Sequence, residues 1–285
     1  MGQPEIVIHP SVLTSRSVML LIADLCHELD RANTPAETHI HRIRVDIKKL
    51  RAWIRLINDM SGDNNLKETD RYLKNIAKQF SFSRDIEIIP ETLDWLRKKT
   101  KKTNEMAALD RINRHMQYKE LPHPLYDDTY ININRDILSE MQQKSIKVDI
   151  EQITKHGLIE TNKKAEHCAK KAFSSKGSLK DLHRLRKWIK YLCYQMEFIQ
   201  ASCPSYCERE IRLLDKLGKQ LGRIHDLDIV RQNVKKLVNV KGCKRAARTT
   251  SKLVDKQIGK LQKRVEKLYR EIFSNSPEYS VAGNV

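Results

Sequence analysis

Apolar residues recur at spacings of three and four along most of the chain, the period of an α-helix. In HIHRIRVDIKKLRAWIRLI, residues 39–57, the apolar seam is Ile40, Ile43, Ile47, Leu50, Ile54 and Ile57. The basic residues His41, Arg44, Lys48, Arg51 and Arg55 fall on a second ridge of the same helix. At about 100° per residue that ridge is about 80° wide and lies about 110° from the seam. A merely solvated face stands opposite the core. This one flanks it, as a wall looking into a cleft would.

The pattern occurs twice. HIHRIRVDIKKLRAWIRLI returns as DLHRLRKWIKYLCYQMEFI, with His41, Arg44 and Lys48 matched 142 positions on by His183, Arg186 and Lys190. The seam returns as Leu182, Leu185, Ile189, Leu192, Met196 and Ile199. Downstream, RYLKNIAKQFSFSRDIEII pairs with RLLDKLGKQLGRIHDLDIV at an offset of 141. Arg71 then matches Arg212, Lys78 matches Lys219, and Arg84 matches His225. Each half therefore predicts a hairpin of two amphipathic helices with basic ridges beside their seams. Duplicated hairpins with matching seams are expected to pack about a pseudo-two-fold axis and bring the ridges together.

Other elements follow the same period. An opening helix is predicted over about 14–32, with Thr34 before Pro35 capping the next one. A long helix is predicted over about 84–118, ending at ELPHPLYDD, the best internal boundary. The second half enters through NINRDILSEMQQ and GLIETNKKAEHCAKKAF. It closes on a helix whose seam is Val254, Ile258, Leu261, Val265, Leu268 and Ile272. Lys252, Lys256, Lys260, Lys263 and Lys267 line one side of that seam, as either a solvated face or a cleft wall. The expected organisation is a single all-α domain over 10–275, made of a first helical half 10–128 and a second 129–275. A disordered tail follows at 276–285.

Composition agrees with a helical protein and adds a partner. Nine glycines and eight prolines in 285 residues leave little room for β-turn architecture. Lys and Arg number 54 against 36 Asp and Glu, a formal charge of +18. A field of that size points to a polyanion: nucleic acid, an anionic membrane or a phosphate polymer. The N-terminal sequence has no basic leader, its VMLLIA run is too short for a bilayer, and Ile6 stands where myristoylation needs Ser or Thr. Six cysteines with no C-x-x-C pair, and Cys203 and Cys207 without a histidine pair, are expected to be thiols of a reducing cytoplasm.

The ridges suit phosphate chemistry. Guanidinium forks take phosphate oxygens in pairs, and lysine supplies point charge. His41 to Arg55 spans about 21 Å along the helix axis, the reach of a string of phosphates. His41 and His183 stand among cations, which favours a phosphate-donor role over metal ligation; a structural role is the other reading. Asp85 and Asp226, with Glu87 and Asp228, resemble a metal-bound phosphohydrolase pair, but the first half reads Arg84-Asp85 where the second reads His225-Asp226. Helix capping or pairing with a basic ridge is the simpler role. Aromatics total only 6%, few for base stacking, and no phosphate-binding glycine loop is present.

Two copies of H-x-x-R-x-x-x-K, each followed some 43 residues on by [R/H]-D-[L/I]-[D/E], resemble the CHAD family over roughly residues 10–275. The resemblance implies two four-helix-bundle-like halves with pseudo-two-fold symmetry around a basic central cleft that binds inorganic polyphosphate. It implies roles for His41, Arg44, Lys48, Lys49 and Arg51 in the first half and for His183, Arg186 and Lys190 in the second. Cys193 replaces the counterpart of Arg51, and Glu197 that of Arg55, so the first ridge is expected to carry more of the affinity. Arg55, Arg71, Lys78, Arg84, Arg212, Lys219 and His225 complete the expected polyphosphate-contacting set. The expected function is polyphosphate binding without turnover, with no catalytic residue, metal or cofactor; phosphate or sulfate ions would mimic the ligand. The expected location is the cytoplasm, where polyphosphate granules offer the ligand, with no specific nucleic acid and no membrane insertion. The alternatives are a metal-dependent phosphohydrolase acting on polyphosphate or related compounds, and a nonspecific nucleic-acid binder.

Overall fold

The seam of residues 43–57 becomes one buried face of a helix, α1 (Glu37–Ser61), with Ile43, Ile47, Leu50 and Ile57 fully inaccessible. The computed structural model describes residues 20–25, 27, 37–61, 64–79, 81–117, 153–202 and 208–274. After α1 come α2 (Asn64–Gln79), α3 (Ser81–Arg97) and α4 (Thr103–Gln117). A π-helical turn at Ile153–Leu158 leads into α5 (Ile159–Ala172). Then follow α6 (Leu179–Ser202), α7 (Glu208–Lys236) and α8 (Lys244–Ser274). No strand occurs among the described residues, so the all-α expectation holds. Nor, among them, is any helix long and apolar enough to cross a membrane.

The chain forms two compact units. One draws on Met1–Lys78, Tyr126–Lys164 and Lys190–Arg212, the other on Gln79–Leu125, Ala165–Ile189 and Leu213–Val285. Each takes segments from both sides of the 128/129 boundary, and α2, α5, α6 and α7 contribute residues to both.

In the first unit the π-helical turn packs on α1. Gly157 makes this possible: a Cβ there would lie 2.1 Å from the Leu56 carbonyl oxygen, which no side chain tolerates. In the second unit α4 packs on α8 and on α3. The predicted seam of α8 is buried throughout, from Val254 at 0% exposure to Leu261 at 7%. The turn before α8 passes through Gly242, whose φ of +80° is a conformation that favours glycine.

The long helix expected over 84–118 is two helices, broken at residues 98–102. Five cations, Arg97, Lys98, Lys99, Lys101 and Lys102, crowd that stretch, and like charges a turn apart weaken a helix. The Thr100 hydroxyl offers the backbone another partner, accepting from the Lys102 amide at 3.2 Å while donating to the Glu105 carboxylate. Most of the opening helix, the Thr34-Pro35 cap, the ELPHPLYDD boundary, the NINRDILSEMQQ entry and the 276–285 tail lie outside the described residues.

Candidate phosphate-binding helices

The second motif copy sits at the start of α6, and local chemistry fixes that start. Ser178 and Asp181 form a capping box. The Ser178 hydroxyl accepts from the Asp181 amide at 3.3 Å, and the Asp181 carboxylate accepts from the Ser178 amide at 3.1 Å. The serine hydroxyl also donates to that carboxylate at 2.5 Å. This hydroxyl is the main cause, and the serine amide the second, of an Asp181 carboxyl held below its ordinary range. A lowered folded-state value means the cap's electrostatic contribution is present above the unfolded value and is lost as pH falls through the folded one. Ser178→Ala should therefore lower the melting temperature at neutral pH, and the gap from wild type should narrow below about pH 3. Parallel thermal unfolding at the two pH values checks this.

The cap aims His183 and Arg186 at α7. The imidazoles of His183 and His225 meet with centroids 4.5 Å apart. Arg186 lies over Gly222: a Cβ on that glycine would stand 3.4 Å from Arg186 Nε and 3.5 Å from Nη2. A cavity of about 340 Å³ opens beside these groups, floored by Leu221 and Ile224 and edged by Lys180, His183, His225 and Gln232. Asp228 also borders it, but Arg231 at 2.7 Å and Gln232 at 3.0 Å answer its carboxylate. Replacing Gly222 by leucine puts a side chain where the guanidinium lies. Gly222→Leu should therefore weaken phosphate binding about as much as Arg186→Ala while removing no charge, as read by calorimetric titration.

The first motif copy, on α1, has the same exposure pattern as the second. His41 and His183 are exposed, and Arg44, Lys48, Arg186 and Lys190 are half-buried. Lys49 is half-buried as well. Lys190 lies over the Tyr194 ring at 5.4 Å.

Arg51 and Arg55 are placed differently from a ligand-facing ridge. Arg51 Nε donates to Asp70 Oδ1 of α2 at 2.8 Å, and Arg55 Nη2 donates to Oδ2 of the same carboxylate. Both guanidinium groups also approach the Tyr191 ring, at 6.0 and 5.2 Å. The second repeat fills the same position with a thiol, and Cys193 Sγ lies 3.6 Å from Oε1 of Glu197, the residue equivalent to Arg55. Cys193 and Ile211 occupy the places equivalent to Arg51 and Asp70, and the buried Cys193 Sγ lies 4.0 Å from the Ile211 carbonyl oxygen. The two guanidinium groups share one carboxylate, so Asp70 offsets one of the two positive charges that Arg51 and Arg55 bring to the first ridge.

The remaining expected contacts lie in solvent. Arg71, Lys78, Arg212 and Lys219 are exposed. Arg212 has Glu208 one turn away, and Lys219 has Asp215 at 2.6 Å. On the helical wheel Lys219 lies about 60° from Gly222 and about 120° from His225. The side chains of Arg84, Asp85 and Glu87 lie outside the described ones. Asp226 lies 4.0 Å from Arg223. Among the described residues no group of three or more His, Cys, Asp or Glu side chains could hold a metal ion. Cys168, Cys193 and Cys243 form no disulfide; Cys203 and Cys207 lie outside the described residues.

Gly222, Asp70 and Tyr191 were not singled out by periodicity. One signal was available: Gly218 and Gly222 sit inside a helix, where each costs about 1 kcal/mol relative to alanine. Such glycines mark a close approach, and both are buried in α7.

Comparison with known proteins gives a consistent picture. A family model, described as the CHAD domain, matches residues 21–235. The fold is similar to that in a crystal structure of the CHAD domain from the plant Ricinus communis. That likeness has a TM-score of 0.64 and 13% identity, and covers 98% of this chain and 97% of the other. No curated protein matches the chain.

Proposed function

The chain belongs to the CHAD domain family, and from that premise we propose that it binds inorganic polyphosphate without turning it over. His41, Arg44, Lys48 and Lys49 act from the first motif copy, and His183, Arg186, Lys190 and His225 from the second. Under this reading each copy presents its own row of phosphate donors along its helix. One observation carries it: H-x-x-R-x-x-x-K occurs on two helices with the same exposure at each matched position, beside a seam buried in both. Surface charge with no ligand has no reason to repeat in that detail.

The chemistry is recognition. Half-buried arginines keep part of their hydration and give up little of it to a phosphate oxygen. Each charge-assisted hydrogen bond is worth about 1.5–3 kcal/mol. Phosphate offers acceptors on every unit, so a row of donors can be met in succession along one chain. Histidine tips at exposed positions add donors at the rim. Bases would gain little here, because Trp53 is buried and Trp95 and Trp188 are covered by Arg223 at 5.0 Å and Lys187 at 4.8 Å.

Calorimetric titration with polyphosphate, alongside a phosphate-release assay in Mg²⁺, Mn²⁺ or Zn²⁺, tests the proposal. Binding that weakens in His183→Ala and Arg186→Ala, with no phosphate released, is expected. Release that disappears in Asp226→Asn would put the phosphohydrolase reading in its place.

A further inference from the structure

The last helix carries a second basic surface that the motif does not include. The 31 residues of α8 hold ten Lys and Arg against three Asp and Glu. Arg248, Lys252, Lys256, Lys260, Lys263 and Lys267 are all exposed. Their common face is opposite the seam of Val254, Ile258, Leu261 and Val265, about 180° away on the helical wheel. This settles their geometry as an outward face. Among the described residues none of the six has an acidic partner. Of the three acids, Asp255 lies 3.9 Å from Arg231 and Glu266 pairs with Arg270.

Two features make this more than ordinary solvated charge. On other helices several exposed cations are paired with a carboxylate one turn away, as in Lys98–Asp94, Arg184–Asp181, Arg212–Glu208 and Lys219–Asp215. On α8 Arg248, Lys252, Lys256, Lys260 and Lys263 each have a cation four residues on, a pattern that destabilises a helix by about 0.2–0.5 kcal/mol per pair. The acids a turn from Lys252 and Lys263 lie against Arg231 and Arg270 instead. The helix also opens on Lys244 and Arg245 with no acid in its first turn, where the macrodipole favours negative charge. There Lys244, Arg245, Arg248, Thr249 and Lys252 line a hollow of about 280 Å³. A linear polyanion laid along α8 would relieve both conflicts. The helix is about 46 Å long with a cation at nearly every turn, and this face carries no aromatic ring on which a base could stack.

We propose that the outward face of α8 is a second binding surface for polyphosphate, engaged by long chains and not by short ones. The identity of the ligand rests on the polyphosphate reading above; the surface itself does not. A chain long enough to occupy the motif residues and α8 together would bind more tightly than either contact alone allows.

Tripolyphosphate and long-chain polyphosphate, titrated into the full chain, test this. The variant Lys252→Gln/Lys256→Gln/Lys260→Gln/Lys263→Gln changes only exposed side chains. It should bind tripolyphosphate as wild type does, and long chains at least about tenfold more weakly. Its log–log salt slope should fall by about one for each lysine that touches phosphate. Long-chain affinity and salt slope equal to wild type overturn the inference. Equal loss for tripolyphosphate also overturns it, since α8 would then belong to the short-chain site. Duplex DNA bound as tightly as long polyphosphate, and released by the same variant, would assign the face to nucleic acid and overturn it too. If instead Arg186→Ala weakens neither ligand while the α8 variant still loses long chains, the motif reading fails and this inference stands.

Discussion

Replacing Asp70 by isoleucine should destabilise the protein by about 3 kcal/mol. The carboxylate is 16% exposed and the Arg51 side chain 10%, so the substitution leaves a nearly buried guanidinium without its counter-charge. Arg55, at 28% exposure, can turn toward water, which places the cost at the low end for a broken buried pair. The second repeat shows how the loss can be mended, because Cys193 and Ile211 fill the equivalent places. Arg51→Cys combined with Asp70→Ile should recover most of the stability, whereas Asp70→Ile alone should not. Urea unfolding of the single and double variants reads the coupling. Additive losses would mean that the two residues do not act as a pair. Cys193→Arg would place a guanidinium beside the Glu197 carboxylate, which lies 3.6 Å from Cys193 Sγ, so its charge should be taken up by that internal pair and leave phosphate binding little changed.

The second large effect is on binding. Arg44→Ala with Arg186→Ala removes the matched arginine from both motif copies and should weaken polyphosphate binding by about 3 kcal/mol, roughly a hundredfold. Arg51→Met with Asp70→Leu should change affinity little, because that pair is already neutral within the protein. Circular dichroism must show both variants helical. A larger affinity loss from the Arg51 and Asp70 variant would place the first ridge's charge at the ligand after all.

Helical type and the buried faces were legible because periodicity reports directly which side of a helix meets the core. Ile43, Ile47, Leu50, Ile54 and Ile57, and their repeats Leu185, Ile189, Leu192, Met196 and Ile199, are all at 3% exposure or less. The His-Arg-Lys spacing was legible for the same reason. Partners across helices were not. A helical wheel places Arg51 beside the seam but cannot say that Asp70, nineteen residues on, will meet it. Nor could it predict that Arg186 would rest on a glycine of another helix. The break at 98–102 was missed because the apolar period continues through it, while the charge crowding that interrupts the helix has no period. The α8 lysines were left between two readings, and only burial of the opposite face decides that they point outward.

The central claim is that these basic helices read phosphate and not bases. A competition titration at physiological salt tests it most directly, with single-stranded DNA added to the protein–polyphosphate complex at equal phosphate concentration. Polyphosphate should stay bound, since the motif residues satisfy phosphate oxygens and offer bases no stacking partner. Displacement of polyphosphate by DNA at equal phosphate would contradict the account.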